Sequence, residues 1–172
     1  ISPDPIHKGI IIIENNSVSV RKIDVVFPVL HGRNGEDGSL QGLLDMAKLP
    51  YVGCGLLASA SCMDKSHTHI VLDYCGIKTA KWQLVTQREI NHLEKKCVEI
   101  AHALGFPLFV KPANAGSSIG INKANDLSEL EEAIKVAFSH DSKVVVEEFI
   151  KGQELEVAVF GYDSPFASFV GE

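Results

Sequence analysis

The sequence lacks the features that mark several large classes of protein. Its 16 Lys and Arg residues against 22 Asp and Glu residues give a net charge of −6. That balance argues against nucleic acid as the main partner, because proteins that bind the phosphate backbone are usually basic. No apolar run approaches the length of a membrane span, since the longest aliphatic run, 10–13, has only the length of a strand. The first residues also lack the basic, apolar and small-residue zones of a signal peptide.

Cysteine is scarce and shows no pairing pattern. The four residues, Cys54, Cys62, Cys75 and Cys97, form no Cys-x-x-Cys pair. This spacing predicts reduced thiols in a cytosol rather than a disulfide framework or a zinc site. The remaining composition, 172 residues with 45% hydrophobic and 22% charged residues, is that of an ordinary globular protein with one large or two small domains.

Hydrophobic periodicity predicts mixed α and β structure along the chain. The expected helices begin near 40, 54, 65, 90 and 127, and Asp64 and Asp126 are expected to cap two of them. In the second helix Leu56, Leu57 and Ala60 are expected to pack closely, and in the third Ile70, Val71 and Tyr74 are expected to face inward. A hairpin of 10–13 with 17–20 is expected, followed by a strand over 23–30 that is buried in a parallel sheet. Further strands are expected over 50–53, 80–86, 106–110, 144–150 and 166–170. One more strand is expected to begin at 119, and a half-buried strand is expected over 155–159.

One strand is followed by a loop of small residues that could hold an anion. Lys111 follows an apolar strand, and Gly116, Ser117 and Ser118 then offer backbone N–H groups and hydroxyls with little side chain in the way. Such loops close over phosphate groups, and the lysine would add charge at the base of the loop. From the loop alone, the two glycines more often mark a plain turn than a phosphate site.

Two further positions leave a functional and a structural interpretation open. His31, Glu36 and Asp37 come directly after the predicted strand 23–30, where ligands gather in open α/β sheets, but a glycine-rich connection with a helix-capping acid has the same pattern. Lys65 stands in the first turn of a predicted helix, where the helix dipole disfavours a cation. A bound anion would explain that lysine, and so would solvent exposure.

Four motifs in this order resemble the D-alanine–D-alanine ligase family. They are the stretch 31–42 (HGRNGEDGSLQG), the tripeptide 63–65 (MDK), the segments 109–112 and 116–120 (FVKP and GSSIG), and the stretch 146–154 (VEEFIKGQE). Any one of them alone would be weak, but their order and spacing make the resemblance specific. It runs from about residue 23 to the end of the chain.

The resemblance implies an ATP-grasp fold of mixed α/β type, in which ATP lies between two α+β subdomains. We expect an incomplete N-terminal α/β domain over 1–53, on the side of the first substrate. The central ATP-grasp subdomain is expected over 54–148, and the start of the C-terminal subdomain over 149–172. The family's N-terminal glycine-rich loop and everything after Glu172 have no counterpart here, so we expect a fragment with little or no ligase activity alone.

The resemblance also implies roles for particular residues. Lys65 and Lys111 would contact the nucleotide phosphates, and Gly116, Ser117 and Ser118 would form the loop over them. The adenine slot would be lined by Glu147, Phe149 and Ile150, with Glu154 on the ribose hydroxyls. His31 would lie beside the first D-alanine, Ser117 would help to orient it, and Glu36 would support the site from behind. The magnesium ligands are expected outside this chain.

The implied activity is the ATP-dependent joining of two D-alanines through a D-alanyl phosphate, with Mg²⁺, for peptidoglycan precursor synthesis in the bacterial cytoplasm. A homodimer is expected, with no nucleic acid or membrane partner. Two alternatives stay open: a variant that uses D-serine or D-lactate as the second substrate, and a non-catalytic ATP-binding fragment.

No histidine base is evident for Ser117, which argues against a serine hydrolase. His67, His69, His92, His102 and His140 are expected on solvated helix surfaces, and Trp82 in the core or a slot wall.

Overall fold

The computed structural model describes residues 1–116 and 118–171. The chain begins with an antiparallel hairpin of β1 (Gly9–Glu14) and β2 (Ser17–Lys22). Its two turn residues, Asn15 and Asn16, both have positive φ, the conformation that a two-residue hairpin turn requires and that asparagine tolerates. The predicted hairpin is confirmed.

The predicted strand over 23–30 is wrong. The segment pairs only through a parallel bridge between Val26 and Tyr51, which is also all that remains of the expected strand 50–53. Phe27 is 71% exposed. A strand of a parallel sheet needs other elements packed against both of its faces. Among the described residues, cover comes mainly from α1 (Ser39–Met46) and a small cluster of Leu44, Ala47 and Leu49.

Asp64 joins two short helices, α2 (Leu56–Met63) and α3 (Lys65–Tyr74). Its carboxylate accepts hydrogen bonds from the backbone N–H groups of Ser66 (3.0 Å) and His67 (3.2 Å), so the predicted N-cap is confirmed. The predicted inward faces are wrong. The exposed side chains include Leu56, Leu57, Ile70, Val71 and Tyr74, whereas the buried residues of the two helices are Ser59 and Ser66.

The centre of the protein is a four-stranded antiparallel sheet in the order β3-β6-β4-β5. Its strands are β3 (Trp82–Thr86), β4 (Leu108–Pro112), β5 (Asn122–Ala124) and β6 (Lys143–Glu148). The predicted strands at these places are confirmed, although β5 begins later than the expected Ile119. Phe109 of β4 and Trp82 of β3 both pair with Glu147 of β6, so these three side chains form one row across the sheet.

Two helices cover one face of this sheet and form the main core with it. A 3₁₀ helix (Gln87–His92) leads into α4 (Leu93–Leu104), and α5 (Leu127–Phe138) follows β5. Asp126 caps α5 by accepting from the backbone N–H of Glu129 (2.9 Å), as predicted. Because side chains alternate along a strand, Leu108, Val110 and Pro112 point into this core and leave Phe109 and Lys111 on the opposite face.

The last described segment, 149–171, is exposed at every residue. It contains the short pair β7 (Val159–Phe160) and β8 (Phe166–Ala167), with one further bridge between Glu156 and Gly171. The expected half-buried strand over 155–159 is therefore wrong. Among the described helices, none is long and apolar enough to cross a membrane.

Candidate functional site

Lys111 and Glu147 form an ion pair on the sheet face opposite α4 and α5. The Lys111 ammonium donates to Oε2 of Glu147, which lies diagonally across the β4–β6 pair. Burial opposes ionisation of Glu147, but hydrogen bonds from His69 and Lys111 outweigh it and hold the pKa of the carboxyl below its usual value. Glu147 is therefore ionised at neutral pH.

Lys65 brings a second ammonium group to the same place. Its Nζ donates to the carbonyl oxygen of Ala115 (2.7 Å), and its backbone N–H donates to that of Ala113 (3.0 Å). Burial and the nearby charge of Lys111 lower the pKa of Lys65. The Lys65 side chain is thus half-buried against the loop of small residues that follows β4, residues 113–120 (the glycine loop). Solvent exposure therefore does not explain this lysine. Two ammonium groups this close together in a half-buried setting favour the binding of an anion.

The glycine loop is anchored at both ends. At its start, Oδ2 of Asp141 accepts from the backbone N–H (2.7 Å) and the side-chain amide (2.9 Å) of Asn114. At its end, Gly120 has φ +73°, and a Cβ there would lie 2.6 Å from the His140 ring, so only glycine fits. Gly116 and Ser118 lie between these anchors, whereas Ser117 lies outside the described residues.

The 31–37 loop packs directly against the glycine loop. A Cβ on Gly116 would lie 3.4 Å from Cα of Gly32, and His31 and Gly116 both line a cavity of about 700 Å³. Glu36 accepts from the backbone N–H of Gly32, so its carboxylate holds the loop together. The structure thus brings two distant motifs to one cavity, with His31 at its wall and Glu36 supporting the loop.

Asp37 organises the turn before α1, but the N-cap of that helix is Gly38, which makes no side-chain capping bond, so the acid is not the expected helix cap. Its carboxylate accepts from the backbone N–H groups of Asn34 (2.8 Å) and Ser39 (3.0 Å). Burial slightly opposes ionisation, and these hydrogen bonds hold the pKa of Asp37 below its usual value. The acid therefore organises the turn into α1 while it also lines the cavity.

The residues expected in an adenine slot are only partly brought together. The Phe149 ring lies 5.8 Å from the Phe109 ring between centroids, and Nζ of Lys123 lies 4.8 Å from the Phe149 centroid, a cation–π distance. Ile150 is 62% exposed, and Glu154 makes no hydrogen bond or ion pair within the described residues. Phe149 therefore adjoins the Lys111 and Glu147 face, whereas Ile150 and Glu154 are exposed.

His69 lies against the site, so the expectation of a solvated surface position is wrong for this residue. Its Nε2 lies 2.9 Å from Oε1 of Glu147, and its ring stacks on Trp82 with 4.9 Å between centroids. Position 69 is four residues after Lys65, and residues four apart share a helix face. That spacing is the signal that could have found it. His140, like His31, lines the cavity of about 700 Å³.

Metal ligands are not grouped in the part of the chain that the structure describes. Residues 1–116 and 118–171 contain no cluster of three or more His, Cys, Asp or Glu side chains able to hold an ion. On the sheet side of the site, the Lys65 and Lys111 ammonium groups lie near the Glu147 carboxylate.

Comparisons with known proteins agree on one family. The family model described as "D-ala D-ala ligase C-terminus" matches residues 71–172, more than half of the chain, and the one described as "D-ala D-ala ligase N-terminus" matches residues 4–54. The chain belongs to the D-alanine–D-alanine ligase family. This confirms the resemblance drawn from the four motifs, and with it the mixed α/β, ATP-grasp fold class.

Individual relatives of this ligase family cover nearly the whole chain. A D-alanine–D-alanine ligase of Acetivibrio thermocellus is 53% identical over 153 residues, which are 88% of this chain and 41% of the relative. A D-alanine–D-alanine ligase of Caldicellulosiruptor bescii is 44% identical over 173 aligned positions, covering 100% of this chain and 48% of the relative. The chain thus spans less than half the length of these curated relatives.

Solved ligase structures share the fold. The VanG D-Ala:D-Ser ligase of Enterococcus faecalis matches with a TM-score of 0.85 and 41% identity over 99% of this chain and 48% of its own. The D-alanine–D-alanine ligase of Coxiella burnetii matches with a TM-score of 0.83 and 37% identity over 93% of this chain and 49% of its own. The architecture described above is therefore that of about half of such a ligase.

Proposed function

We propose that the protein carrying this chain is an ATP-dependent ligase that joins two D-alanines through a D-alanyl phosphate. The observation that carries this proposal is the convergence of Lys65 and Lys111 beside the glycine loop, with Glu147 next to them. The relatives named D-alanine–D-alanine ligase support it.

In this proposal the two lysines and the loop hold the phosphates of ATP. Ammonium groups and backbone N–H groups stabilise the charge that spreads over a transferring phosphoryl group. Phosphoryl transfer to the carboxylate of the first D-alanine gives an acyl phosphate. The amine of the second D-alanine then attacks the acyl carbon, and phosphate leaves.

The remaining site residues bind and orient the substrates. Glu147 accepts from the amino group of adenine, Phe149 and Ile150 line the base, and Glu154 meets the ribose hydroxyls. His31 lies beside the first D-alanine, Ser117 helps to orient it, and Ser118 and Gly116 complete the loop. Glu36 keeps the 31–37 loop in shape through its bond to Gly32. Mg²⁺ would neutralise phosphate charge, and we propose that its ligands lie outside this chain, as the family resemblance implies.

The proposal extends to organisation and setting. We assign residues 1–53 to an N-terminal domain on the substrate side, 54–148 to the central ATP-grasp subdomain and 149–172 to the start of the C-terminal one. The protein acts as a homodimer in the bacterial cytoplasm, in peptidoglycan precursor synthesis. The three exposed free thiols, Cys54, Cys62 and Cys75, are compatible with a reducing compartment.

The test is product formation by the whole protein that carries this chain. We expect ADP, phosphate and the D-alanyl-D-alanine dipeptide from ATP, Mg²⁺ and D-alanine, in equal amounts. Lys65→Ala should lower kcat/KM by about 10²-fold or more, because a preorganised charged donor to the phosphates is lost. Lys95→Ala, an exposed lysine on α4, is the matched control and should leave turnover unchanged. Bound ATP without any dipeptide would favour the non-catalytic alternative.

A second candidate is a ligase that takes D-serine as its second substrate. The structural match to an enzyme titled D-Ala:D-Ser ligase favours keeping it. Competition between D-alanine, D-serine and D-lactate, with the products identified by mass, distinguishes the variants. Predominant D-alanyl-D-serine would replace the first proposal.

A further inference from the structure

The Glu147 carboxylate is held from two sides. Lys111 occupies its Oε2 and Nε2 of His69 occupies its Oε1, at 2.9 Å. The side chains of His69 and Glu147 are both only 12% exposed. A carboxylate this well covered loses much of its stabilisation when a partner leaves, because water replaces the lost bond poorly.

His69 is itself fixed by its surroundings. Its ring stacks on Trp82 with 17° between the planes, and the Trp82 indole N–H donates to Oδ2 of Asp73 (3.0 Å). The other imidazole nitrogen, Nδ1, lies 3.3 Å from the Thr79 hydroxyl. Since a carboxylate only accepts hydrogen bonds, Nε2 is assigned as the N–H donor to Glu147. His69 therefore directs a fixed donor at one oxygen of Glu147.

The two partners of Glu147 differ in what a bound nucleotide would do to them. Lys111 is a flexible ammonium beside the glycine loop, and it would turn from Oε2 of Glu147 toward a phosphate. His69 is held by Trp82 and would stay on Oε1. The released Oε2 would then face the slot as an acceptor in a fixed direction. It would accept from the amino group of adenine and repel the carbonyl oxygen that guanine carries at the same position.

We infer that His69 is a positioning residue that holds the Glu147 carboxylate in place when Lys111 turns to a nucleotide, and that it thereby sets the preference for adenine over guanine. This inference rests on the proposed nucleotide site. His69 and Glu147, the latter from β6, are surrounded by the charged groups of Lys111 from β4 and of Lys65 and Asp73 from α3. No other part of the proposed function depends on His69.

The first test compares base selectivity in the whole protein. His69→Phe keeps a ring to stack on Trp82 but removes the donor, His69→Gln returns an N–H donor, and His67→Phe changes an exposed histidine two positions away as the control. The dissociation constant for GTP divided by that for ATP, both measured by calorimetry, should fall about tenfold in His69→Phe, the effect of one lost hydrogen bond. It should recover in His69→Gln and stay unchanged in His67→Phe. Equal weakening of both nucleotides would mean a merely structural role and overturn the inference.

The second test needs no nucleotide. Carbon-13 NMR of labelled glutamate carboxyls should give a raised pKa for Glu147 in His69→Phe, because the bond from His69 helps to hold it down, and an unchanged value in His67→Phe. An unchanged pKa in His69→Phe overturns the inference, whether or not ATP binds. A raised pKa in a protein that binds neither nucleotide would refute both the proposed function and the selectivity role. Should His69→Phe fail to fold, His69→Leu replaces it in both tests.

Discussion

The central sheet with its two helices and the segments on either side of it differ sharply in burial. In the sheet region, the largest apolar side chains, such as Ile134 and Val110, are fully covered. In the flanking segments, Phe27 and Phe169 are largely bare, and Phe169 is 99% exposed. The apolar content of the two regions is similar, so the difference lies in packing partners. Apolar surface stabilises a fold only where the fold covers it.

The candidate site is divided in the same way. Lys111 and Glu147 lie on the central sheet, and Lys65 of α3 donates to the loop that follows β4, so all three have defined partners. Ile150 and Glu154 lie on the exposed segment. The side of the site that we propose for the phosphates is therefore already organised in this chain. The side proposed for the base and ribose is organised only up to Phe149, which still contacts Phe109.

The largest effect is expected from a cavity in the covered region. Leu130→Ala removes a fully buried side chain of α5 and should lower the free energy of unfolding by about 2–5 kcal/mol. Leu57→Ala makes the same chemical change on the exposed face of α2 and should cost less than about 0.5 kcal/mol. Urea unfolding of both variants measures the difference. Equal losses would mean that the two regions do not differ in packing.

An intermediate effect is expected at Asp64, which connects the short helices to the sheet. Asp64→Ala removes the N-cap of α3 and the partner of Lys143, and should cost about 1–2 kcal/mol. Asp64→Asn keeps a capping side chain and should cost less. Urea unfolding at pH 7 ranks the two variants, and an Ala variant as stable as the Asn variant would contradict the capping role.

The same residue should make stability depend on pH. Burial opposes ionisation of Asp64, but hydrogen bonds from Lys143 and Ser66 hold its pKa below the usual value. Its contribution to stability is therefore complete above the unfolded pKa of about 3.9 and is lost as the pH falls through the lower folded pKa. Urea unfolding between pH 2 and pH 7 should show a smaller acid loss in Asp64→Asn than in the unaltered chain. Parallel pH profiles would rule this out.

The smallest effect is expected in the exposed segment. Phe169→Ser in this chain of 172 residues should change the free energy of unfolding by less than about 0.5 kcal/mol, because the ring has no cover to lose. The same urea experiment checks it. A loss comparable to that of Leu130→Ala would show that the segment is packed in solution.

Local signals in the sequence predicted much of the fold. The hairpin turn at Asn15 and Asn16 and the caps at Asp64 and Asp126 depend on residues within a few positions, so sequence alone contains the cause. The prediction of a strand over 23–30 is wrong because a strand also needs neighbouring strands to pair with, and this segment pairs only through the bridge of Val26. The inward face expected for α3 failed for a related reason: periodicity marks an apolar stripe but does not provide a surface to cover it.

The site was predictable where motifs recur and not where contacts are distant. The lysines and the glycine loop stand in recognisable motifs, and the structure brings Lys65 to that loop and near Lys111, while their roles stay predictions. The His69 contact with Glu147 joins residues 78 positions apart, so no local pattern reports it. Only its helical spacing from Lys65 points toward the same face.

The most direct test of the central claim is calorimetric titration of ATP, with Mg²⁺, into the protein that carries this chain. We predict saturable binding that Lys111→Ala weakens about 10–100-fold, the effect of losing a charged hydrogen bond to phosphate. Lys95→Ala, whose ammonium lies on α4 on the far side of the sheet, should bind as the unaltered protein does. Equal affinity in all three proteins would contradict the account, because Lys111 and the glycine loop would then have no part in holding a nucleotide.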